Sequence, residues 1–174
     1  EGYPDDKVEE LDASYWPHDV PKEGSRKVPF CKEIYIEQDD FMLEPPKDYF
    51  RLAPGQEVRL RYAYCIKCTD VVKDADGNVT EVRCTYDPET LGNNPVGRKV
   101  KGTIHWVSAR HAVDAEVRLY DRLLSVEAPP TGKDSEFLTA INPNALQALK
   151  GCKLERSLGD AKGGDRFQFE RQGY

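Results

Sequence analysis

The sequence predicts an all-β protein assembled from short strands of the kind that close into barrels. From Val58 onward, Val58, Leu60, Tyr62, Tyr64 and Ile66 alternate with Arg59, Arg61, Ala63, Cys65 and Lys67. A half-buried strand gives that period of two, because successive side chains point to opposite faces. Asp74-Ala-Asp-Gly-Asn78 then supplies the Gly and Asn that turns with positive φ require, and a second β-rich run, 79–86, follows it. Together these predict a β-hairpin.

Along the chain, the first strand candidate is 28–36. Residues 38–49 predict a turn-rich connection, since Pro45-Pro46 blocks a regular helix. After the hairpin, Gly92, Asn93, Asn94, Pro95 and Gly97 mark 91–98 as loop. Further strands are predicted over 102–108, 116–124 and 166–174, each bounded by Pro, Gly or charged clusters. Helix signals are few. Ser135 is placed to cap a short turn toward Ile141, and 143–149 predicts a second short helix ended near Gly151. No repeat of 20 to 50 residues is evident, which excludes solenoids.

At 174 residues the chain can bury a sizeable core as one large domain or two small ones. A formal net charge of −6 is not the footprint of a general nucleic-acid binder, so any RNA contact needs a local basic face. There is neither an apolar run of about 20 residues nor a charged-then-apolar leader, so no membrane partner is expected and a cytoplasmic location is. Five widely spread cysteines read as reduced thiols rather than a disulfide framework. Cys65-Ile-Lys-Cys68 invites a zinc reading, but a site needs a second ligand pair and strand residues three apart face opposite ways, so no metal is expected.

The residues with useful chemistry are arginines. Alternation projects Arg59 and Arg61 from one sheet face, with Arg51 just ahead of the same strand, and planar guanidinium forks suit phosphate or a guanine edge. Spacing alone equally describes an ordinary solvated face. Arg98, Lys99 and Lys101 form a second basic cluster able to follow a backbone, and Trp106 in a β-run reads as core. Ser108, His111 and Asp114 imitate a hydrolase set without a nucleophile elbow or oxyanion hole. Adjacent acids such as Asp39-Asp40 read as turn and surface residues, and no Walker-type phosphate loop occurs.

Several strings, in order, carry a more specific signal. Tyr3-Pro4, Gly24-Ser-Arg-Lys-Val-Pro-Phe30, Val58-Arg-Leu-Arg-Tyr-Ala-Tyr64, Cys84-Thr-Tyr-Asp87, Lys101-Gly-Thr-Ile-His-Trp-Val-Ser108, Asp114-Ala-Glu-Val-Arg-Leu-Tyr-Asp-Arg122 and Phe167-Gln-Phe-Glu-Arg-Gln-Gly-Tyr174 together resemble the C-terminal anticodon-binding region of glutaminyl-tRNA synthetases, over nearly the whole chain. The resemblance implies two linked β-barrels. One is continuous, over 21–126; the other is split between 1–20 and 127–174 and completed by sequence before Glu1 and after Tyr174.

It also implies a partner, the anticodon loop of tRNA(Gln). Arg51 would help read the third anticodon base, Arg59 and Arg61 the first base and its neighbouring backbone, and Gln168 and Arg171 the middle base. Phe50, Lys99 and Lys101 are auxiliary candidates. Two positions depart from the family pattern: Asp48 stands where an amide is common, and Phe50 replaces a basic residue but can stack on a base. No catalytic residue and no cofactor are expected in this chain. ATP with magnesium is implied for a catalytic domain elsewhere in the same parent, because the family's His-Ile-Gly-His and Lys-Met-Ser-Lys-Ser type signatures are absent from these residues. The equivalent region of an archaeal or eukaryotic-type glutamyl-tRNA synthetase, and a barrel that binds protein instead of RNA, are the competing readings.

Overall fold

The computed structural model describes residues 1–16, 20–128 and 134–169, and it is predominantly β. In order come β1 (Glu9–Ser14), β2 (Ser25–Phe30), β3 (Ile34–Tyr35), β4 (Glu57–Leu60), β5 (Cys65–Lys73), β6 (Val79–Asp87), β7 (Thr103–Ile104), β8 (Val107–Ser108), β9 (Val113–Tyr120), one α-helix, α1 (Asp134–Thr139), and β10 (Leu146–Leu154). Among the described residues, three single-turn 3-10 segments complete the set. Among the described residues the strands form a four-stranded sheet in the order β6-β5-β4-β7 and three two-stranded ribbons, β1-β2, β3-β8 and β9-β10. The closed barrels expected from the sequence are not found in this pairing.

Two compact units are present: Glu1–Ala112 with Glu155–Tyr174, and Val113–Leu154. These units are cut differently from the division 21–126 against 1–20 with 127–174. In the larger unit, β1 pairs antiparallel with β2, so the first residues join the same body as the central sheet. Its core is built on Leu52, Val58, Leu60 and Ile104, all essentially inaccessible, and on an aromatic cluster. Tyr3, Phe30, Tyr64, Tyr86 and Trp106 meet edge to face or tilted, with ring centroids 5.0 to 6.4 Å apart, the arrangement ring quadrupoles favour. The Tyr3 and Tyr64 hydroxyls donate to Glu9 at 2.6 and 2.8 Å, so the phenols reach the core edge with their polar ends satisfied. Trp106 lies in this core as expected, its indole N–H donating to the Arg61 carbonyl at 2.8 Å.

The hairpin expected from Asp74–Asn78 is β5-β6, with pairing from Cys65↔Asp87 to Lys73↔Val79. The Asp74 carboxylate accepts from the backbone of Asp76 and Asn78 at 3.0 and 2.8 Å, and Gly77 takes φ +86°. The alternating run from Val58 to Lys67 is not one strand. It folds back on itself: the Ala63 N–H donates to the Leu60 carbonyl, Leu60 and Tyr64 pair across the turn, and Tyr62 adopts φ +63°. Ala63, Tyr64, Cys65 and Ile66 are all buried, because two antiparallel strands here enter the core from a turn and no face is left to alternate.

Three other expectations change. Residues 143–149 are not helical: 143–145 form a turn and 146–149 open β10, whose pairing with β9 runs from Leu146↔Tyr120 to Leu154↔Val113 across a bulge between Leu149 and Cys152. Gly151 supplies φ +71° there, as a bulge requires. The strand expected over 28–36 is interrupted into β2 and β3, and that over 102–108 into β7 and β8. Of 166–174, residues 166–168 carry no regular structure, Phe169 sits at a bridge position, and the rest lies outside the described residues. A short helix stands where the turn from Ser135 toward Ile141 was expected, but it begins at Asp134, so Ser135 lies within α1 (Asp134–Thr139).

Candidate nucleic-acid interface

The parallel β4-β7 pair carries the basic residues. Arg59 pairs with Thr103 and Leu60 with Ile104, while the N–H groups of Arg59 and Arg61 donate to the Gly102 and Ile104 carbonyls at 2.8 and 3.0 Å. Residues 50–52 pass beside Gly102. A Cβ built on that glycine would stand 1.9 Å from the Phe50 carbonyl oxygen, so only glycine permits the approach. The close fit sets Phe50 and Lys101 together: the Phe50 ring is half exposed and the Lys101 ammonium lies 4.7 Å from its centroid, within cation–π range. The sequence placed both residues among its auxiliary candidates. It did not pair them.

Arg51 follows directly and is aimed by acidic neighbours. Its Nη1 donates to the Asp39 carbonyl at 3.0 Å and lies 3.3 Å from an Asp40 carboxylate oxygen. Asp40 is fully buried whereas the Arg51 side chain is 43% exposed, so one end of the guanidinium is held and the rest faces solvent. Asp39-Asp40 therefore is not a plain surface pair. The Tyr49 hydroxyl donates to the same Asp39 carbonyl at 3.2 Å. Leu52 and Asp40 are tied through backbone at 3.0 Å, next to the Phe41↔Leu52 bridge, which makes the 39–52 connection a rigid frame for Arg51.

Arg59 is differently occupied. Its Nη1 donates to the carbonyls of Ala63 and Thr90 at 3.0 and 2.9 Å, and Nη2 donates to that of Asn93 at 2.6 Å. Thr90, buried, also accepts from the Cys65 N–H through its hydroxyl at 2.8 Å. Arg59 thus clasps the β4-β5 turn to the 90–93 loop. The Arg61 guanidinium stands over the Tyr62 ring at 5.0 Å, so the two arginines do not project from one strand face: the chain turns immediately after Leu60. Arg98 is bound to Glu57 through two hydrogen bonds, 2.8 and 2.7 Å, and to Asp87 at 2.5 Å. Lys99 is exposed on the same loop.

Gln168 is exposed between the half-exposed rings of Phe167 and Phe169. Arg171 lies outside the described residues, so the middle-base pair is placed only at Gln168. The peptide leading to it is anchored where Arg26 grips Glu155 in a two-pronged ion pair at 2.5 and 2.8 Å. Burial raises the Glu155 pKa, but hydrogen bonds from Arg26 and Ser157 outweigh it and hold the carboxyl below its usual range.

The hydrolase-like trio resolves into scaffold. The Ser108 hydroxyl is 2.8 Å from His111 Nδ1 but is buried beside the Cys31 thiol, and the Asp114 carboxylate takes the Lys153 ammonium. Among the described residues no group of three or more His, Cys, Asp or Glu side chains could hold a metal ion, and no helix is long and apolar enough to cross a membrane.

Two family models, both described as the anticodon-binding domain of class I tRNA synthetases for glutamate and glutamine, match residues 1–87 and 103–174. The chain belongs to this anticodon-binding family. It is 54% identical to a glutamine–tRNA ligase of Pseudomonas syringae over 99% of its length and 30% of that protein. A glutamine–tRNA ligase of Tolumonas auensis is 56% identical over 100% of the chain and 31% of that protein, and one of Nitrobacter winogradskyi is 53% identical with the same coverage. The chain therefore spans about 30% of the length of the curated relatives it matches. Arg51, Arg59 and Arg61 lie in the first matched segment of the anticodon-binding family and Gln168 in the second, while Lys99 and Lys101 lie in the short stretch between them.

Proposed function

We propose that this chain binds the anticodon loop of tRNA(Gln) and that its parent is a class I glutamine–tRNA ligase, working in the cytoplasm, whose catalytic domain attaches glutamine to that tRNA using ATP and magnesium. The observation that carries the reading is a match to glutamine–tRNA ligases along essentially the entire chain at more than half identity. ATP and magnesium are assigned to the catalytic domain of the parent, because no Walker-type glycine loop occurs in this sequence. No chemical step is assigned to them. Their task is recognition, in which phosphate contacts fix register and base contacts supply selectivity.

Arg51 reads the third anticodon base. Its held end costs little further ordering when the exposed end pairs with an acceptor-rich guanine edge. Phe50 with Lys101 forms a neighbouring platform on which a splayed base stacks while the ammonium approaches its phosphate. Arg61 contacts the first base or its backbone, and Arg59 supports it mainly by holding the turn on which Arg61 sits. Gln168 and Arg171 address the middle base, with Lys99 as a helper. The proposed architecture is two linked β-barrels, one continuous over 21–126 and one split between 1–20 and 127–174.

The test is fluorescence anisotropy of the protein with anticodon stem-loops for glutamine and for glutamate at two salt concentrations. Preference for the glutamine loop is expected. Salt-sensitive binding that is equal for both would reduce the surface to a phosphate binder, and absence of binding by the full-length parent would overturn the reading in favour of a protein-interaction module.

A further inference from the structure

The β5-β6 hairpin carries two cysteines at one rung. Cys68 and Cys84 are direct cross-strand partners. In an antiparallel ladder the N–H and C=O of one residue point to the same side, and rungs alternate between hydrogen-bonded pairs and wider-spaced pairs whose Cα atoms come closer. The Cys68 N–H donates to the Gln56 carbonyl at 3.1 Å and its own carbonyl accepts from the Gly55 N–H at 3.0 Å, so both face away from β6. The Cys84 carbonyl accepts from the Glu1 nitrogen, also away from β5. The rung is thus a non-hydrogen-bonded one, for which a Cα separation of about 4.5 Å is usual, inside the range a disulfide spans. The Cys68 thiol is held only weakly, donating to the Asp70 carbonyl just beyond the bulge at 3.7 Å. The bulge immediately after Cys68, where Thr69 is unpaired and its hydroxyl donates to the Arg83 carbonyl at 3.1 Å, gives the rung local freedom to close.

We propose that Cys68 and Cys84 form a reversible cross-strand disulfide when the protein meets a thiol oxidant, and that the other three cysteines do not take part. Cys31 and Cys65 are buried, Cys31 beside the Ser108 hydroxyl and Cys65 with its N–H held by Thr90. Cys152 is carried by β10 in the smaller unit. Within the pair, Cys84 is partly accessible and Cys68 is 1% exposed, which orders the steps. With a disulfide such as oxidised glutathione, the Cys84 thiolate attacks one sulfur and expels one thiolate, leaving a mixed disulfide. The Cys68 thiolate then attacks the Cys84 sulfur and expels the second. The S–S bond of the oxidant is broken and a protein S–S bond made. Two electrons and two protons pass from the cysteine pair to the oxidant, which leaves as two thiols. Burial pushes the Cys84 thiol up to about 12, so the attacking thiolate is scarce near neutrality and the exchange accelerates as pH rises. The exchange is therefore slow near neutral pH, and the disulfide, once formed, ties the two strands of the hairpin to each other.

The experiment incubates the native protein with oxidised glutathione at several pH values, blocks remaining thiols, and maps peptides by mass spectrometry before and after dithiothreitol. A Cys68–Cys84 cross-linked peptide that disappears on reduction, forms faster at higher pH and raises the thermal unfolding midpoint is expected. Cys84→Ser should abolish it while leaving the circular dichroism spectrum unchanged, and Cys68→Ala should stop at the glutathione adduct on Cys84. A stable glutathione adduct on wild-type Cys84, a cross-link to any other cysteine, or no modification of either thiol would each overturn the proposal.

Discussion

Replacing Arg59 by alanine separates holding the fold from touching RNA. Its guanidinium makes three hydrogen bonds to main-chain carbonyls, at 3.0, 2.9 and 2.6 Å. Two of those acceptors belong to the buried residues Ala63 and Thr90, the third to the exposed Asn93. A hydrogen bond from a charged donor contributes roughly 1.5–3 kcal/mol net, and a buried acceptor left unpaired costs about 1–3 kcal/mol. Water can replace the bond to Asn93 but is hindered at the other two. The expected loss is therefore about 3 kcal/mol, which for a chain of this size lowers the thermal midpoint by roughly 6–12 °C. Arg59→Lys should recover less than half of it, since a tetrahedral ammonium cannot span the carbonyls a planar fork reaches. Urea and thermal unfolding followed by tryptophan fluorescence supply the stability, and anisotropy well below the unfolding transition supplies the RNA affinity. Destabilisation under about 0.5 kcal/mol, the level of an ordinary surface substitution, together with lost RNA binding would refute the clasp and make Arg59 a direct reader.

Arg51→Ala should weaken binding of the cognate stem-loop and erase discrimination at its third base, by about 1–3 kcal/mol for a bidentate contact; uniform weakening over all third bases would leave Arg51 a backbone contact. Gly102→Ala forces a methyl into the Phe50 carbonyl, so a cost of at least 2 to about 3 kcal/mol is expected, together with loss of the Phe50–Lys101 contact, read by urea unfolding. Glu155→Gln, which breaks a pair whose side chains are only 19% and 10% exposed, should cost about 2–4 kcal/mol at neutral pH. Because the folded-state pKa of Glu155 is depressed, its stabilisation is present above the unfolded carboxyl value and disappears as pH falls through the folded one. Wild type and variant should therefore converge in acid, and a gap unchanged at low pH would contradict the assignment.

What could be read from sequence was local. The hairpin at Asp74 was legible because its turn is closed by partners two to four residues away. The 91–98 loop was marked by its own Gly, Asn and Pro residues. The helix expected over 143–149 failed for the complementary reason: Ala, Leu and Gln favour helix when alone, but pairing with β9 satisfies the same backbone in a strand. Glu9–Ser14 was missed because only Leu11 and Ala13 of that strand are buried, too few to announce a period.

The candidate interface divides in the same way. Order and identity of the matching strings sufficed for the family and named Arg51, Phe50 and Lys101 as candidates. No sequence pattern could say that the Arg59 guanidinium would be drawn to carbonyls 31 and 34 positions away, or that Phe50 and Lys101 would meet because Gly102 leaves room for a backbone. Turn chemistry acts over a few residues and is written in their types. Partners brought together by folding satisfy backbone groups that every residue carries alike, and only the tertiary structure decided which of them an arginine would meet.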